Sequence, residues 1–236
     1  MESVTRRDFV RNSVAVGATV ATVIAPAAAA QPAASSDGKI KILAISCSPR
    51  RGQSTATALG VCLQAAKEVS SKVETELIEL AGLRINGSIA AGIPLPEGER
   101  DDFPSLVPKL ADPKVRGIIL GTPVYFGNMS SLCRAFLERC IVLYQDKFAL
   151  HNKVAGVVAV GGTRNGGQEV TIQSVQISLF CNEMIVVGNG HPSPRLGGTV
   201  WSGAEGGVLK DEFGMATTKA LGRRVAEVAL RVAGPT

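Results

Sequence analysis

Short apolar runs alternate with helical patterns along most of this chain, and this alternation limits the folds that it can adopt. Apolar runs typical of strands buried on both faces of a sheet occur at residues 40–46, 115–123, 153–162 and 183–188. Residues 72–80 alternate between apolar and polar side chains, which also indicates a strand. Strands that alternate with helices predict an α/β fold with a doubly wound, five-stranded parallel sheet and helices on both faces.

Helical patterns lie between and after these strands. Apolar residues recur at three-to-four spacing over residues 58–66, and Ser130 and Ser131 are candidate N-caps for a helix at 132–143. Further helices are expected at residues 168–180 and 217–233. In this order, three unusual loops directly follow strands, at residues 46–55, 123–129 and 161–168. Open parallel sheets bind ligands at the carboxyl ends of their strands, so these loops are expected to meet at one site.

The first 30 residues have the layout of an export signal. The segment TRRDFVR precedes an Ala-rich, mildly apolar stretch that ends in small residues. The pair Arg6-Arg7 resembles the twin-arginine signal of bacteria. A membrane anchor is the alternative, but a spanning helix needs ~20 strongly apolar residues, and Gly17 and Pro26 interrupt a shorter run here. We therefore predict a cleaved signal peptide at residues 1–30, a linker at 31–38, one domain at 39–233, a periplasmic location and no stable membrane span.

Charge and cysteine content argue against several functions. The formal net charge is +5, and the leader contributes +1 of it from three arginines against two acidic residues. No basic run argues for nucleic-acid binding. The five cysteines include no C-x-x-C pair, so their spacing predicts neither a zinc nor an iron–sulfur site. Four of them lie in apolar helical patterns and are expected to be small core residues, namely Cys62, Cys133, Cys140 and Cys181.

The first loop, ISCSPRRGQST, does not match several familiar anion-binding or catalytic motifs. It lacks the lysine of a Walker loop, and neither G-x-G-x-x-G nor the G-x-S-x-G of serine hydrolases occurs. A tyrosine-phosphatase loop, C-x5-R counted from Cys47, would need arginine where Gln53 stands. No carboxylate or histidine constellation stands out either, so we predict no catalytic side chain.

The same loop suits a terminal phosphate at the N-terminus of a helix. Ser48, Arg50, Ser54 and Thr55 are the natural donors, together with backbone N–H groups. The alternative is an ordinary capped turn punctuated by proline and glycine. The residues of this loop alone do not decide between the two.

The second and third loops indicate a flat ligand. Tyr125 and Phe126, two of the few aromatic residues, stand beside Gly127 and Asn128, although aromatics in such a place can also belong to the core. The third loop, GGTRNGGQE, has four glycines in nine residues, and its exposed backbone can bond the polar edge of a heterocycle.

The segments SCSPRRGQST, GTPVYFGNMSSLCRAFLER and GGTRNGGQE, with the ending VLKDEFGMATTKALGRRVAE, resemble the NAD(P)H-dependent FMN reductase family. The resemblance runs from about Lys39 to Val232. It implies a flavodoxin-like fold with strand order 2-1-3-4-5 and bound FMN. It also implies a homodimer or homotetramer.

The resemblance assigns cofactor-binding roles to all three loops. The first loop would hold the FMN phosphate, through Ser46, Ser48, Arg50, Ser54 and Thr55. The second would line the isoalloxazine ring, through Pro123, Val124, Tyr125, Phe126, Gly127, Asn128 and Met129. The third would meet the pyrimidine edge of the ring or close over it, through Gly162, Thr163, Arg164, Asn165, Gly166 and Gly167.

The implied activity is transfer of a hydride or electrons from NADPH or NADH, through FMN, to a quinone, free flavin or other small acceptor. The alternative is an exported FMN electron carrier reduced by a protein or quinol partner. A third possibility is a flavin-binding or storage protein without turnover. Two departures from the family matter. The iron–sulfur branch has a cysteine cluster after the second strand, where residues 83–103 contain none, so no cluster is expected. Asn165 replaces the histidine that quinone reductases often have. Two roles remain possible for Trp201, which could cap a ligand pocket or lie in an oligomer contact.

Overall fold

A computed structural model describes residues 38–234, so the predicted signal peptide and nearly all of the predicted linker lie outside the described residues. The strands are β1 (Ile40–Ser46), β2 (Val73–Glu79), β3 (Val115–Tyr125), β4 (Asn128–Met129), β5 (Val154–Gly161), β6 (Ile185–Val186) and β7 (Gly198–Trp201). The helices are α1 (Ser54–Lys67), α2 (Val107–Ala111), α3 (Ser131–Arg139), α4 (Ile141–Gln145), α5 (Gln168–Cys181) and α6 (Glu212–Val232). Short 3-10 turns occur at Gly87–Ala91, Phe103–Ser105 and Val208–Lys210.

The strand order is β2-β1-β3-β5-β6, and all neighbours in this order are parallel. With the short β4 set aside, this is the predicted order 2-1-3-4-5, and the doubly wound α/β fold is confirmed. β4 adds a two-residue antiparallel hairpin to the end of β3. The predicted helix at residues 132–143 is divided at Cys140, which ends α3 and precedes α4.

The edge of the sheet differs from the prediction of one strand at residues 183–188. β6 pairs with the first two residues of β5, and β7 pairs with the last four. Between β6 and β7 the chain leaves the sheet in a loop that contains Pro192 and Pro194, whose nitrogens cannot donate to a strand ladder. Two short strands therefore occupy the edge that one strand was expected to fill.

Helices cover both faces of the sheet. On one face, Leu59 of α1 and Leu221 of α6 pack with Ile42 in a buried cluster. Gly222 lets α6 approach α1 closely, because a Cβ at this position would lie 2.0 Å from the Cys62 carbonyl oxygen. On the other face, side chains of α3 and α5 pack in a second cluster with the segment between β2 and β3.

The segment between β2 and β3 is fastened to α3. Phe103 is fully buried, and its ring centroid lies 5.8 Å from that of Phe136. The Arg139 guanidinium lies 4.9 Å from the Phe103 ring centroid, and Arg139 Nη1 pairs with Asp101 Oδ2 at 2.7 Å. The same nitrogen donates to the Asn86 carbonyl oxygen at 3.2 Å. An aromatic contact and a buried ion pair thus hold a segment with little regular structure.

All five cysteines are free thiols, and four are buried. Cys181 is exposed, so its prediction as a core residue is wrong, because it ends α5 beyond the buried side of that helix. Burial raises the pKa of the Cys62 thiol, and burial with the nearby Cys133 raises that of Cys140 to about 12. Within residues 38–234, no helix combines the length and apolar character needed to cross a membrane.

Candidate functional site

The three loops singled out in the sequence follow the carboxyl ends of three adjacent strands. At the end of the β1–β3 ladder Ser46 faces Gly121, and at the end of the β3–β5 ladder Pro123 faces Val160. The first loop (residues 46–55), the second loop (123–129) and the third loop (161–168) therefore start along one edge of the sheet. This is the edge where open parallel sheets bind their ligands.

The first loop is bonded to the residues that flank the second loop on either side. Cys47 N donates to the Gly121 carbonyl oxygen at 2.8 Å, and Ser130 Oγ donates to the Cys47 carbonyl oxygen at 2.7 Å. Ser130 Oγ also accepts from Cys133 N at 3.1 Å, and this bond is the predicted N-cap of α3. One hydroxyl therefore caps a helix and fixes the distance between the two loops. Its bond to the first loop was not predicted.

The first loop begins as a tight turn. Ser48 Oγ accepts from Arg50 N at 3.1 Å, while Gly52 N donates to Glu79 Oε2 at 2.7 Å. Arg51 Nη2 donates to the Ala81 carbonyl oxygen at 2.8 Å and is thereby directed toward the end of β2. Arg50 remains exposed at the tip. The ordinary turn that was the alternative to a phosphate site is therefore present. These bonds do not involve the N-terminus of the helix that follows.

The N-terminus of α1 has no side-chain cap. Gln53 is at the N-cap position and its side chain makes no capping bond, and the first turn contains no acidic residue. Thr55 in this turn is buried and Ser54 is half-buried. The buried Ser46 Oγ has no hydrogen-bond partner among the described residues. Uncapped N–H groups, hydroxyls and the positive end of the helix dipole together suit an anionic group.

The second loop is a hairpin whose aromatic tip points away from the core. Tyr125 pairs with Asn128 across it, and Phe126 and Gly127 have positive φ of 50° and 72°. Phe126 is completely exposed and Tyr125 is also exposed, so neither is the core aromatic of the alternative interpretation. A Cβ added to Gly127 would meet no atom within 4 Å. Of the other predicted residues, Pro123 and Met129 are buried, Val124 is half-buried and Asn128 is exposed.

The third loop is fixed by Gln168, the first residue of α5. The side chain of Gln168 is buried, and its Nε2 donates to the Thr163 carbonyl oxygen at 2.6 Å while its Oε1 accepts from Gly166 N at 2.9 Å. Gly167 has a φ of 96°, and a Cβ there would lie 3.0 Å from the Gly127 Cα. The second and third loops are therefore in contact through two glycines.

The predicted residues of the third loop differ in their exposure to solvent and in their contacts. Gly162, Thr163 and Asn165 are exposed, whereas Gly166 and Gly167 are half-buried. Arg164 turns back toward the protein and pairs with the buried carboxylate of Asp211, just before α6. Asp211 was missed in the sequence because the last helix was expected to begin at residue 217, whereas α6 begins at Glu212. Asp211 is its N-cap and accepts a bond from Gly214 N at 2.9 Å.

Trp201 ends β7 behind the third loop. Its Nε1 donates to the Gly162 carbonyl oxygen at 2.9 Å, and its backbone N donates to Asp211 Oδ2 at 2.7 Å. The two possibilities left open for Trp201 were a pocket cap and an oligomer contact. The structure shows a third arrangement, in which the indole supports the backbone of the third loop.

These features fit FMN and do not fit a metal cluster. The uncapped α1 terminus suits a phosphate, and the open space beside Gly127 and the exposed Phe126 suits a planar ring. An iron–sulfur cluster needs several convergent thiolates. The described part of the chain contains no group of three or more His, Cys, Asp or Glu residues that could hold a metal ion.

Comparisons with known proteins identify the family of the chain. Residues 40–194 match the family model described as NADPH-dependent FMN reductase. An iron–sulfur flavoprotein of Methanocaldococcus jannaschii is 39% identical over 192 residues, which cover 80% of this chain and 97% of that protein. An NAD(P)H dehydrogenase (quinone) of Trichlorobacter lovleyi is 30% identical over 186 residues, covering 74% of this chain and 85% of the relative.

Solved structures share the fold at low sequence identity. RosB, with a bound riboflavin-phosphate intermediate, superposes with a TM-score of 0.60 at 18% identity and covers 82% of this chain and 79% of its own. The apo form of an NADH:FMN oxidoreductase gives a TM-score of 0.55 at 20% identity, covering 82% of this chain and 90% of its own.

Proposed function

The chain belongs to the NADPH-dependent FMN reductase family, and we propose that it passes electrons from NADPH or NADH, through bound FMN, to a small acceptor such as a quinone or free flavin. The observation that carries the proposal is the convergence of three loops on one sheet edge, with an uncapped helix terminus after β1 and an exposed aromatic hairpin after the neighbouring β3. FMN, when bound, supplies the hydride and electron chemistry.

The residues of the chain bind and orient the cofactor. We assign the phosphate to the N–H groups of the first turn of α1, with Ser48, Ser54, Thr55 and Arg50 around it. Bound FMN would have its ring beside Gly127, where the absence of a side chain leaves open space. The backbone of the third loop would hold the polar edge of the ring, and its N–H groups would stabilise negative charge there. No side chain is required to move a proton in this scheme.

The proposal is tested by an anaerobic titration of the protein without residues 1–30, loaded with FMN, against NADPH and NADH. Loss of the absorbance of bound oxidised FMN on addition of either nucleotide supports the reductase and identifies its donor. FMN that binds but stays oxidised favours the alternative carrier, which a protein or quinol partner would reduce. Failure to bind FMN would contradict the assignment of all three loops.

The phosphate assignment has a matched pair of variants within one helix. Thr55 is buried in the first turn of α1, whereas Thr57 donates its hydroxyl to the Gln53 carbonyl oxygen at 3.2 Å. We expect Thr55→Val to weaken FMN binding by about tenfold, the effect of losing ~1.4 kcal/mol. Thr57→Val, which makes the same chemical change, should leave binding near that of the unaltered protein. Equal dissociation constants for the two variants would contradict the assignment.

We further propose that the protein is exported in folded form with FMN bound, on the basis of the Arg6-Arg7 signal at the start of the chain. Fractionation of cells that express the full chain, compared with an Arg6→Lys, Arg7→Lys variant, tests this. Retention of the variant and export of the unaltered chain are expected.

We also propose a homodimer or homotetramer. α5 exposes Val170, Ile177 and Phe180, and exposed apolar side chains on one helix are typical of a contact between chains. Light scattering during size-exclusion chromatography measures the state directly. A monomer at all concentrations would contradict this proposal.

A further inference from the structure

A buried carboxylate lies behind the third loop, outside every segment assigned to FMN. The Asp211 side chain is 1% exposed. Its Oδ1 accepts from Gly214 N at 2.9 Å and from Arg164 Nη2, and its Oδ2 accepts from Trp201 N at 2.7 Å. One side chain therefore bonds the first turn of α6, the end of β7 and the third loop. We call Asp211, Arg164, Trp201 and Gly214 the Asp211 network.

The Asp211 network reaches the third loop at two points. Arg164 belongs to the loop, and its guanidinium carbon lies 5.6 Å from the Trp201 ring centroid and 5.5 Å from that of Phe213. Trp201 Nε1 in turn donates to the Gly162 carbonyl oxygen at 2.9 Å. The loop is thus attached to Asp211 directly through Arg164 and indirectly through Trp201.

The bonds of Asp211 exceed what a helix cap requires. Capping α6 needs only the bond from Gly214 N, which asparagine can also accept. Asparagine has a single acceptor oxygen, and if that oxygen caps α6, the amide nitrogen takes the place of Oδ2 and faces Trp201 N, which is itself a donor. Burial alone raises the pKa of Asp211, but the bonds from Arg164, Trp201 and Gly214 outweigh it, so that the pKa is lowered and the carboxylate is charged.

We propose that Asp211 is a positioning residue, which acts through Arg164 and Trp201 to hold the third loop in the conformation that receives the flavin. The inference rests on the proposed function for the identity of the ligand. The Asp211 network itself rests on the contacts above. Because the loop backbone is expected to donate to the edge of the ring, its position affects both the affinity for FMN and the stability of the reduced form.

The test compares three single variants of the full protein and one double variant. Asp211→Asn keeps the size of the side chain and the cap of α6 but removes the charge. Arg164→Gln removes the other half of the ion pair. Glu212→Gln is the matched control, because Glu212 is an exposed carboxylate in the next position of the chain and in the first turn of α6.

The first measurement is amide hydrogen exchange on the FMN-free chain, which reports the loop without any assumption about the ligand. We expect residues 162–167 to exchange faster in Asp211→Asn and Arg164→Gln than in the unaltered chain, and Glu212→Gln to match the latter. Unchanged exchange in both network variants overturns the proposal. If Asp211→Asn does not fold, Arg164→Gln carries the test, because the Arg164 side chain is 38% exposed and less central to the core.

The second measurement is the dissociation constant of FMN. Because each change removes a connection that holds the third loop, about a tenfold rise in the dissociation constant is expected for each network variant, equivalent to ~1.4 kcal/mol. The double variant should bind FMN no more weakly than the single variant with the lower affinity, because both changes break the same connection between Asp211 and Arg164. Unchanged affinity, or fully additive losses, overturns the proposal.

The third measurement, the midpoint potential of bound FMN, separates positioning from simple charge effects. Displaced loop donors stabilise reduced FMN less, so Asp211→Asn should lower the potential. If the ion pair acted only through charge, the uncompensated positive charge of Arg164 would raise the midpoint potential in Asp211→Asn. A raised potential therefore overturns the proposal. If the unaltered protein does not bind FMN, the proposed function fails, while the exchange rates of the FMN-free chain still decide whether Asp211 positions the loop.

Discussion

The open space beside Gly127 gives the sharpest test of where the flavin ring lies. Gly127 has a φ of 72°, and a Cβ added to it would meet no atom within 4 Å. Gly92, in the segment between β2 and β3, has nearly the same geometry, with a φ of 77° and nothing within 4 Å. Gly→Ala substitution at the two sites therefore makes the same change in the FMN-free chain.

The expected stability loss follows from the backbone alone. An L-residue in the left-handed region costs about 1–2 kcal/mol, and neither new methyl group meets another atom. Gly127→Ala and Gly92→Ala should thus lower the free energy of unfolding of the FMN-free chain by similar amounts. Denaturant unfolding measures both values, and a much larger loss at one site would show that its surroundings are not open.

The affinity for FMN should separate the two variants. If the ring occupies the space beside Gly127, the methyl group of Gly127→Ala overlaps it and binding weakens by about tenfold or more, equivalent to ~1.4 kcal/mol or more. Gly92→Ala should bind FMN as the unaltered protein does. Fluorescence titration gives both dissociation constants. Equal affinities would refute the placement of the ring beside the second loop, whatever the stabilities of the variants.

Three further predictions concern other parts of the chain. Phe126→Asn should stabilise the FMN-free chain by about 1 kcal/mol, because asparagine tolerates positive φ better than phenylalanine. Denaturant unfolding measures this change, and an unfolding free energy no higher than that of the unaltered chain would contradict it. Arg139→Leu should cost about 3–5 kcal/mol by leaving the buried Asp101 unpaired, and adding Asp101→Asn should restore part of that loss in the same assay. Burial lowers the pKa of Lys153 to about 8 in the folded chain, whereas an unperturbed lysine has a pKa of about 10.4. Between these two pH values the unfolded chain therefore binds more protons than the folded chain. The unfolding free energy of the unaltered chain relative to Lys153→Met should therefore rise across this window, and a fall would contradict the shift.

Much of the fold was predictable because burial on both faces leaves a visible pattern. β1 and β3 are nearly continuous apolar runs, and the residues between them follow helical or alternating spacing. The edge of the sheet was less predictable. The chain leaves the ladder after Val186 and rejoins it at Gly198, with Pro192 and Pro194 in the loop between, and local spacing does not encode these two points.

The candidate site was predictable to the level of its loops but not of their supports. Glycines, hydroxyls and aromatics that follow strands mark the loops in the sequence. Ser130 and Asp211 act across long sequence separations, on Cys47 and Arg164 respectively, and a single sequence does not reveal such pairs. Both are N-cap residues with additional bonds, so their local signal indicates only a helix start.

The second and third loops of the site are held to very different degrees. The third loop is bonded from behind by Gln168, Trp201 and Asp211, whose side chains contribute hydrogen bonds or an ion pair. The tip of the second loop carries a completely exposed Phe126 in a left-handed conformation, a state that costs energy and is compensated by no packing within the described chain. A fixed loop suits the unvarying polar edge of the cofactor. The exposed aromatic, by contrast, is available for stacking on the ring, on an acceptor or on a second copy of the chain, so substitutions at Phe126 should affect acceptor use more than those at Gln168.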